Sequence, residues 1–310
     1  MNLPFISIIA PCFNESKTII SFLQSLEKVI SKLNYHFQVI VIDDSSYDNT
    51  LSLLKEFSFS SSNISLHLLQ LKFNSGHQNA IFQGLLYAGS LNQEYVIIMD
   101  GDGEDDPHAI PFLLEKKGYE LVEVKRGQRR ESIRFQVLYF FYKAIFRLIT
   151  GKQMDYGNYC MLSNKLVEHI QITSFIHLPA YLLKQKINRA SILFNRNKRI
   201  DGKSKMGYKN LFLHAFKSFV EFGDDLLLWF LRMFVVIVLL LIIISANLIY
   251  QKFIAHTAIL GWFSTVSLGL VNLAAICIGF FVLGILMMNL MHNQNKSSKG
   301  IYTIIKKESI

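Results

Sequence analysis

Residues 95–107 read Tyr-Val-Ile-Ile-Met-Asp-Gly-Asp-Gly-Glu-Asp-Asp-Pro, an apolar run followed by a cluster of acidic residues. An apolar run, Tyr95–Met99, stops at Asp100, and an apolar run bounded by turn residues predicts a buried strand. Asp100, Asp102 and Glu104 occupy alternate positions, so on an extended segment their side chains point the same way. Three carboxylates at one point predict a site for Mg²⁺ or Mn²⁺. Asp-x-Asp is also common in acidic turns, but its place at a strand end favours the metal site.

Three further apolar runs of strand length precede this one, with helical patterns between them. They are Phe5–Ala10, Phe37–Ile42 and Leu66–Leu71. Strands that alternate with helices predict right-handed βαβ units and a mostly parallel sheet. Ligands bind such sheets outside the carboxyl ends of the strands. We therefore expect Asp43 and Asp44, which follow the second run, to lie near Asp100 and Asp102.

Asp43 and Asp44 also have a second interpretation. Together with Ser45 and Ser46 they can cap a helix over Tyr47–Phe57, because Asp and Ser are good N-cap residues. Both interpretations can hold if one carboxylate caps the helix while the other meets a ribose or a base.

The middle of the chain is less regular. Glu131–Thr150 has a helical pattern rich in aromatic residues, and Lys152–Leu162 is predicted to be irregular. Ser191–Phe194 is predicted to be a last strand, and Arg196–Gly207 a basic loop. Tyr208–Phe222 is amphipathic, which predicts a helix lying in a membrane interface.

Two long apolar segments follow, at about Trp229–Ile249 and about Leu260–Leu290. A helix of roughly 20 residues spans the ~30 Å hydrocarbon core of a bilayer. Lysines flank the pair on both outer sides, whereas the link between the segments carries only Lys252, so the positive-inside rule places both outer ends in the cytoplasm. The alternative is a buried helical hairpin of a soluble protein. We divide the chain into a cytoplasmic domain (1–200), a basic loop and interfacial helix (201–225), a two-helix anchor (226–292) and a cytoplasmic tail (293–310).

Charge is segregated along the 310 residues. Residues 1–124 carry a net charge of −8, and residues 125–217 carry +15. This segregation suggests a site where a metal and anions meet, and basic residues facing anionic lipid headgroups are a compatible alternative. Cys12, Cys160 and Cys277 lack metal-ligand spacing, so we predict reduced thiols in a cytosolic or membrane setting.

The ordered set of motifs resembles family 2 glycosyltransferases. The motifs are Pro11–Glu15, Val41–Ser46 with Asp48–Thr50, Asn74–Gln78, and Met99–Pro107. Arg126–Arg129, Gly202–Met206 and the two apolar segments make the chain similar to the polyprenyl-phosphate branch, which includes dolichol-phosphate mannose synthase and the bactoprenol glucosyltransferases. The resemblance covers about residues 5–290. It implies a Rossmann-like glycosyltransferase A-type domain with a mostly parallel sheet, then interfacial amphipathic helices and two transmembrane helices.

The resemblance also implies roles for single residues. For donor binding it indicates Pro11, Phe13, Glu15, Ile42, Asp44, Asp100, Gly101, Asp102, Arg199 and Lys205. For the metal it indicates Asp100, Asp102 and Glu104, and for catalysis Asp100, Asp102, Arg126 and Asp155. For the acceptor phosphate it indicates Arg126, Arg129 and Ser204. From spacing alone, Arg126 and Arg129 read as a solvated charge run.

The activity implied is transfer of a monosaccharide from a nucleotide sugar to undecaprenyl or dolichyl phosphate. The reaction would depend on Mg²⁺ or Mn²⁺ and would invert the anomeric centre. It would take place at the cytoplasmic face of the plasma membrane, catalysed by a multi-pass protein. A phosphate monoester with a second pKa of ~6 is already a dianion at neutral pH, so the attack needs no general base.

Three departures from the family pattern matter. Glu104 stands where the family usually has Gln, Gly157–Cys160 stands where it has Gly-Asp-Phe-Arg, and the segment after Pro107 is short. The second departure supports a catalytically inactive membrane partner or scaffold. A processive polysaccharide synthase would carry Gln-x-x-Arg-Trp, and neither Trp229 nor Trp262 follows an arginine. Glycines in the second apolar segment could pair helices in a homo-oligomer, and we expect no nucleic-acid partner.

Overall fold

The computed structural model describes residues 3–126, 133–195, 197, 208–257, 261–294 and 300–308. The chain forms two compact units. The first comprises Met1–Phe140, Gln153–Glu221 and Ser297–Ile310, and the second comprises Phe141–Lys152 and Phe222–Lys296.

The described strands of the first unit form one eight-stranded sheet. They are β1 Phe5–Cys12, β2 His36–Asp43, β3 Ile64–Leu71, β4 Tyr95–Ile98, β5 Leu121–Arg126, β6 Tyr156–Ser163, β7 Arg189–Phe194 and β8 Tyr302–Lys307. The sheet order is β7-β5-β6-β4-β1-β2-β3-β8. Strands β4, β1, β2 and β3 are mutually parallel, whereas β6 and β8 run antiparallel to their neighbours. The predicted mostly parallel sheet is therefore confirmed.

Helices connect these strands and continue beyond them. They are α1 Ile19–Ile30, α2 Thr50–Glu56, α3 His77–Ala88, α4 Ile110–Glu115, α5 Ile133–Thr150, α6 Asn164–Thr173, α7 Leu178–Lys184, α8 Tyr208–Glu221, α9 Gly223–Phe253 and α10 Trp262–Gln294. A 3₁₀ turn, Pro107–Ala109, precedes α4.

The central parallel strands are apolar on both faces because helices cover both faces of the sheet. Helix α3 lies close to β1 and β2 over Gly84. A Cβ atom on Gly84 would come within 2.8 Å of both Ile9 Cγ2 and Ile42 Cδ1. The absence of a side chain at Gly84 therefore sets the distance between α3 and the sheet, and with it the position of the start of α3.

One part of the sequence prediction is wrong. Lys152–Leu162 was expected to be irregular, but it contains most of β6, which pairs with both β4 and β5. Gly157 and Asn158 are residue types that strands disfavour. The pairing partners on both sides form this strand in spite of the local propensity.

The predicted tail, 293–310, contributes an edge strand that the sequence pattern did not reveal. Strand β8 pairs antiparallel with β3. The Glu308 carboxylate accepts a hydrogen bond from the Leu66 N–H at 2.9 Å, and the Ile301 N–H donates to Gln83 Oε1 at 2.9 Å. The chain thus returns to the first unit after α10.

The second unit contains two helices that are long and apolar enough to cross a membrane, Gly223–Phe253 and Ser264–Met287. They pack side by side through Phe230 and Phe280, whose rings stack at 6.1 Å. A Cβ on Gly284 would overlap Leu227, so this glycine serves packing within the chain. Pairing between copies of the chain stays a prediction.

A buried polar group lies at the edge of the sheet that β8 covers. The His67 ring is 2% exposed, with Nδ1 2.8 Å from the Tyr87 hydroxyl and Nε2 3.3 Å from Ser65 Oγ. Burial, helped by the Lys307 charge, lowers the pKa of His67 to about 4. The folded protein therefore keeps this ring neutral where an unfolded chain would protonate it.

This difference predicts a loss of stability in acid. Between pH ~6.5 and ~4, the unfolded chain binds a proton at His67 and the folded protein does not. As the pH is lowered through this range, the free energy of unfolding should therefore fall by up to about 1.4 kcal/mol per pH unit from this residue alone. Denaturant unfolding of the detergent-solubilised protein across pH 4.5–7 measures it. His67→Gln cannot titrate and should show a flatter dependence, whereas identical slopes would contradict the assignment.

Candidate functional site

The acidic residues predicted to form a site meet at the carboxyl ends of β1, β2 and β4. These strands are adjacent and parallel, so the loops after them emerge at the same edge of the sheet. The loops carry Phe13–Ser16, Asp44–Asn49 and Asp100–Asp106. The pairing of these strands thus brings the acidic residues close together, as predicted.

Hydrogen bonds cross-link the loops that follow β1 and β2. The Asn14 N–H donates to Ser46 Oγ at 2.9 Å, and the Tyr47 N–H donates to Asn14 Oδ1 at 3.1 Å. The Ser16 N–H donates to the Asp48 carboxylate at 3.2 Å. Burial alone would raise the pKa of Asp48, but its hydrogen bonds outweigh burial and lower the pKa. The two loops therefore form one wall of the site.

This wall contains backbone strain and an aromatic pair in which one ring is exposed. Asn14 and Ser45 have φ angles of +54° and +61°, a left-handed conformation that side chains disfavour. Phe13 and Tyr47 pack edge to face at 5.6 Å, and Tyr47 is 85% exposed. Sequence reasoning did not include Tyr47, although it directly follows the Asp43–Ser46 motif. Two aromatic rings on this wall of the site can stack against the planar base of a nucleotide.

Asp43 and Asp44 are both buried, and neither caps α2. That helix begins at Thr50 with no side-chain cap, so the capping interpretation is wrong. Asp43 accepts the Ser46 N–H at 3.3 Å. Asp44 binds the loop before α3, accepting the Ser75 N–H at 2.8 Å through Oδ1 and the Gly76 N–H at 2.9 Å through Oδ2. Burial raises the pKa of both carboxyls, with these hydrogen bonds acting against it.

The Asp100–Glu104 segment turns instead of continuing as a strand. The Asp100 N–H donates to Asp105 Oδ2 at 2.9 Å, and Asp102 Oδ1 accepts the Glu104 N–H at 3.0 Å. Gly103 has a φ of +79°. The expected extended geometry is therefore wrong, and among the described residues no three His, Cys, Asp or Glu side chains form a ready-made metal site.

Gly101 explains how this turn approaches β1. Its N–H donates to the Pro11 carbonyl at 3.3 Å, and a Cβ at this position would lie 3.0 Å from the same oxygen. A side chain here would push the acidic turn away from the end of β1. Gly101 and the Pro11 main chain therefore place Asp100 and Asp102 beside the loop of Phe13.

Two residues that sequence reasoning did not assign to the site contact Asp100 or lie next to it. His77 Nε2 is 3.2 Å from Asp100 Oδ1, and Asn158 Nδ2 is 2.9 Å from the same ring nitrogen. Burial lowers the pKa of His77, but Asp100, Asp102 and Asp105 together outweigh burial and raise it. His77 lies in the Asn74–Gln78 motif, and this motif is the feature of the sequence that could have indicated His77 as a site residue.

The remaining predicted site residues fall into three groups. Ile42 is fully buried beneath α3, which leaves only its main chain for a donor. Asp155 precedes β6 and accepts a hydrogen bond from Gln153 at 3.2 Å. Arg126 is the last residue of β5, and the structure describes its backbone but not its side chain. The other predicted basic and hydroxyl residues lie outside the described residues: Arg129, Arg199, Ser204 and Lys205.

A family model described as glycosyl transferase family 2 matches residues 7–170. The chain belongs to this family. The predicted family is thereby confirmed, and with it the enzyme class of glycosyltransferase. The matched region runs from within β1 to beyond β6 and contains the acidic edge described above.

Two curated relatives show the same likeness in sequence. An uncharacterized protein of Methanocaldococcus jannaschii is 38% identical over 35% of this chain and 44% of its own length. The undecaprenyl-phosphate 4-deoxy-4-formamido-L-arabinose transferase of Shewanella sediminis is 26% identical over 68% of this chain and 64% of its own. The chain thus spans less than two thirds of each of these relatives.

Solved structures show the fold. Mannosyl-3-phosphoglycerate synthase from Rubrobacter xylanophilus superposes with a TM-score of 0.54 at 15% identity, over 72% of this chain and 74% of that one. Glucosyl-3-phosphoglycerate synthase from Mycobacterium tuberculosis, in complex with Mn²⁺, UDP and glucosyl-3-phosphoglycerate, gives 0.53 at 16% identity over 72% and 80%. The Rossmann-like A-type glycosyltransferase fold is confirmed.

The Asp44 contacts lead to a prediction. In Asp44→Asn, one carboxylate oxygen becomes an NH₂ group that faces a backbone N–H donor, which leaves a buried donor unsatisfied. The free energy of unfolding should fall by about 1–3 kcal/mol, and the start of α3 should loosen. Thermal unfolding measures the first effect, and hydrogen exchange at the Ser75 and Gly76 amides measures the second. Asp106→Asn is the control, because Asp106 accepts its hydrogen bonds through one oxygen. Equal stability of the two variants would contradict the role.

Proposed function

We propose that this family 2 glycosyltransferase moves a monosaccharide from a nucleotide sugar to a polyprenyl phosphate, undecaprenyl or dolichyl, at a membrane surface. The observation that carries the proposal is the combination of an acidic edge at the ends of β1, β2 and β4 with two helices long enough to span a bilayer. The name of the Shewanella sediminis relative, which includes undecaprenyl phosphate, supports the choice of acceptor.

The donor would bind against the wall formed by the loops after β1 and β2. Phe13 and Tyr47 offer rings for the base, and the Pro11 main chain, Glu15 and Asp44 surround the nucleoside. Asp100, Gly101 and Asp102 would lie along the diphosphate. The basic residues Arg126, Arg199 and Lys205 would bind its phosphates, and Arg126, Arg129 and Ser204 would hold the acceptor phosphate.

A divalent cation fits the chemistry of this edge. Asp100, Asp102 and Glu104 offer only hard oxygen ligands within five residues, the set that Mg²⁺ and Mn²⁺ prefer. The described side chains do not complete a coordination sphere, so diphosphate oxygens would supply further ligands. A bound cation would neutralise charge on the leaving nucleotide.

The reaction itself would need positioning and charge stabilisation more than proton transfer. An acceptor phosphate oxygen attacks the anomeric carbon, the bond from that carbon to the nucleoside diphosphate breaks, and the anomeric centre inverts. A dianionic phosphate supplies its own electron pair. Holding both substrates in line is then the main task of Asp100, Asp102, Arg126 and Asp155.

Several surfaces support membrane attachment. Helix α5 contains no acidic residue between Ile133 and Thr150 and includes Lys143 and Arg147. Its exposed apolar side chains are Tyr139, Phe140, Phe141, Ile145 and Leu148. Such helices lie in the interface of a bilayer, as predicted for Tyr208–Phe222, and we propose both as interfacial helices. The chain leaves the first unit before α9 and returns to it after α10, so a hairpin that spans the bilayer would have both ends on one side.

Transfer is tested with the purified full-length protein, undecaprenyl or dolichyl phosphate, and a panel of nucleotide sugars. We expect a lipid-linked monosaccharide and released nucleoside diphosphate, and little product with a soluble phosphate monoester. A chelator should abolish transfer, and Asp102→Asn should lower kcat by about 100-fold or more. Glu115→Gln, an exposed change on α4, is the control. Full transfer in excess chelator would contradict the requirement for a metal ion. A polymeric product would indicate a processive synthase, and the absence of product with every donor and acceptor would indicate an inactive partner.

Topology is tested by cysteine labelling in cells. In a Cys277→Ser background, Ala255→Cys in the link between α9 and α10 should react with an impermeant maleimide from outside. Lys55→Cys, exposed on α2, should react only after permeabilisation, because the proposed active site faces the cytoplasm. The reverse pattern would place the domain outside.

A further inference from the structure

A line of side-chain contacts runs from the start of α7 to Asp100. The Leu178 N–H donates to Gln78 Oε1 at 2.7 Å, and Gln78 Nε2 donates to Asn158 Oδ1 at 3.0 Å. Asn158 Nδ2 lies 2.9 Å from His77 Nε2, which is 3.2 Å from Asp100 Oδ1. We call Gln78, Asn158 and His77 the polar relay. It joins α7, α3, β6 and the loop after β4 across distant parts of the chain.

The backbone fixes the direction of the relay. The Leu178 N–H can only donate, so Gln78 must present its oxygen there and its NH₂ group to Asn158. Asn158 must then present its oxygen to Gln78 and its NH₂ group to His77. Gln78 and Asn158 are each 8% exposed, and a buried amide that lacks its partner is unfavourable. Both amides are therefore held in one orientation.

The far end of the relay is anchored by α8. The N–H groups of Ile176 and His177 donate to Glu221 Oε2 at 2.8 and 3.1 Å. The Ala180 N–H donates to His177 Nδ1 at 3.2 Å. The backbone that supplies the Leu178 N–H is thus fixed on both sides, and it cannot move to follow a reoriented Gln78.

His77 Nε2 has one bonding position in the ring plane, and Asn158 and Asp100 both approach it. Nε2 can therefore form only one of these hydrogen bonds at a time: a neutral ring accepts from Asn158, and a ring protonated there donates to Asp100. The contact with the fixed Asn158 side chain limits where the ring edge lies beside the carboxylate. A carboxylate at position 158, as in the resembling family, would instead accept from both Gln78 and His77.

We propose that Gln78 and Asn158 are positioning residues, which hold the His77 ring against Asp100 and thereby fix the orientation of the carboxylate that meets the donor. Gln78 contacts Asn158 and Asn158 contacts the His77 ring, so we assign their effect on Asp100 to His77. The inference rests on the proposed function, because it takes Asp100 as a carboxylate that faces the diphosphate and its cation.

The chain offers a matched control for a purely structural role. Gln93 Nε2 donates to Asn164 Oδ1 at 2.9 Å, and Gln93 is 5% exposed. This pair has the same chemistry, and Gln93 is about as buried as Gln78, whereas Asn164 is half-buried. The pair lies before β4, at the opposite end of that strand from Asp100. Gln93→Leu is therefore the matched control for Gln78→Leu.

The experiment compares Gln78→Leu and Asn158→Leu with Gln93→Leu and Asn164→Leu. Binding of Mn²⁺ with UDP or GDP, whichever the wild type binds, should weaken about 10–100-fold in the first two variants, the range seen when residues that orient a metal ligand are removed. kcat should fall similarly while KM for the acceptor stays unchanged. The control variants should lose stability only. Asn158→Asp should retain most of the nucleotide binding that Asn158→Leu loses, because a carboxylate can accept from both Gln78 and His77.

A measurement without ligand separates the relay from the proposed function. In protein with ¹⁵N-labelled histidine, the ring signals of His77 should change in Gln78→Leu and stay unchanged in Gln93→Leu. If these signals change and no sugar is transferred to any acceptor, the proposed function fails and the relay stands. If Gln78→Leu and Gln93→Leu give the same ring signals and the same nucleotide binding, the relay is overturned.

Discussion

Carboxylates crowd together at the carboxyl edge of the parallel sheet, and the conformations of the loops around them reflect this crowding. The pairing of β4, β1 and β2 brings their acidic loops together, and like charges repel most strongly where water is excluded. Backbone N–H groups donate to four of these carboxylates: Ser46 to Asp43, Ser75 and Gly76 to Asp44, Asp100 to Asp105, and Glu104 to Asp102. The shape of the loops brings these donors to the acids.

This solution also explains the unusual backbone of the site. Asn14, Ser45 and Gly103 adopt positive φ angles in the three acidic loops. Such angles cost energy in a side-chain-bearing residue, so the hydrogen bonds around them must offset the strain. The result is a set of carboxylates with fixed orientations before any ligand arrives. Under the proposed function, carboxylates held in this way would bind a divalent cation, and that cation would stabilise the charge of a diphosphate leaving group.

The sequence allowed the parallel strands, the acidic edge and the two apolar helices to be predicted, because each of these features is written in a local pattern. Strand β6 was missed because its formation depends on neighbours on both sides rather than on Gly157 and Asn158. The contact of His77 with Asn158 was missed because 81 positions separate them. Orientation at a turn was mispredicted for a related reason: alternate spacing implies a common direction only while the backbone stays extended, and the Asp105 carboxylate turns it at Asp100.

Strand β8 pairs with β3 and so closes one edge of the sheet. An unpaired β3 edge would expose N–H and C=O groups that invite pairing with another chain. Strand β8 covers that edge, and Glu308 holds it through the Leu66 N–H and the Ser58 hydroxyl. Coverage of this edge by a segment that follows α10 in the sequence therefore removes a site at which a second chain could add a strand.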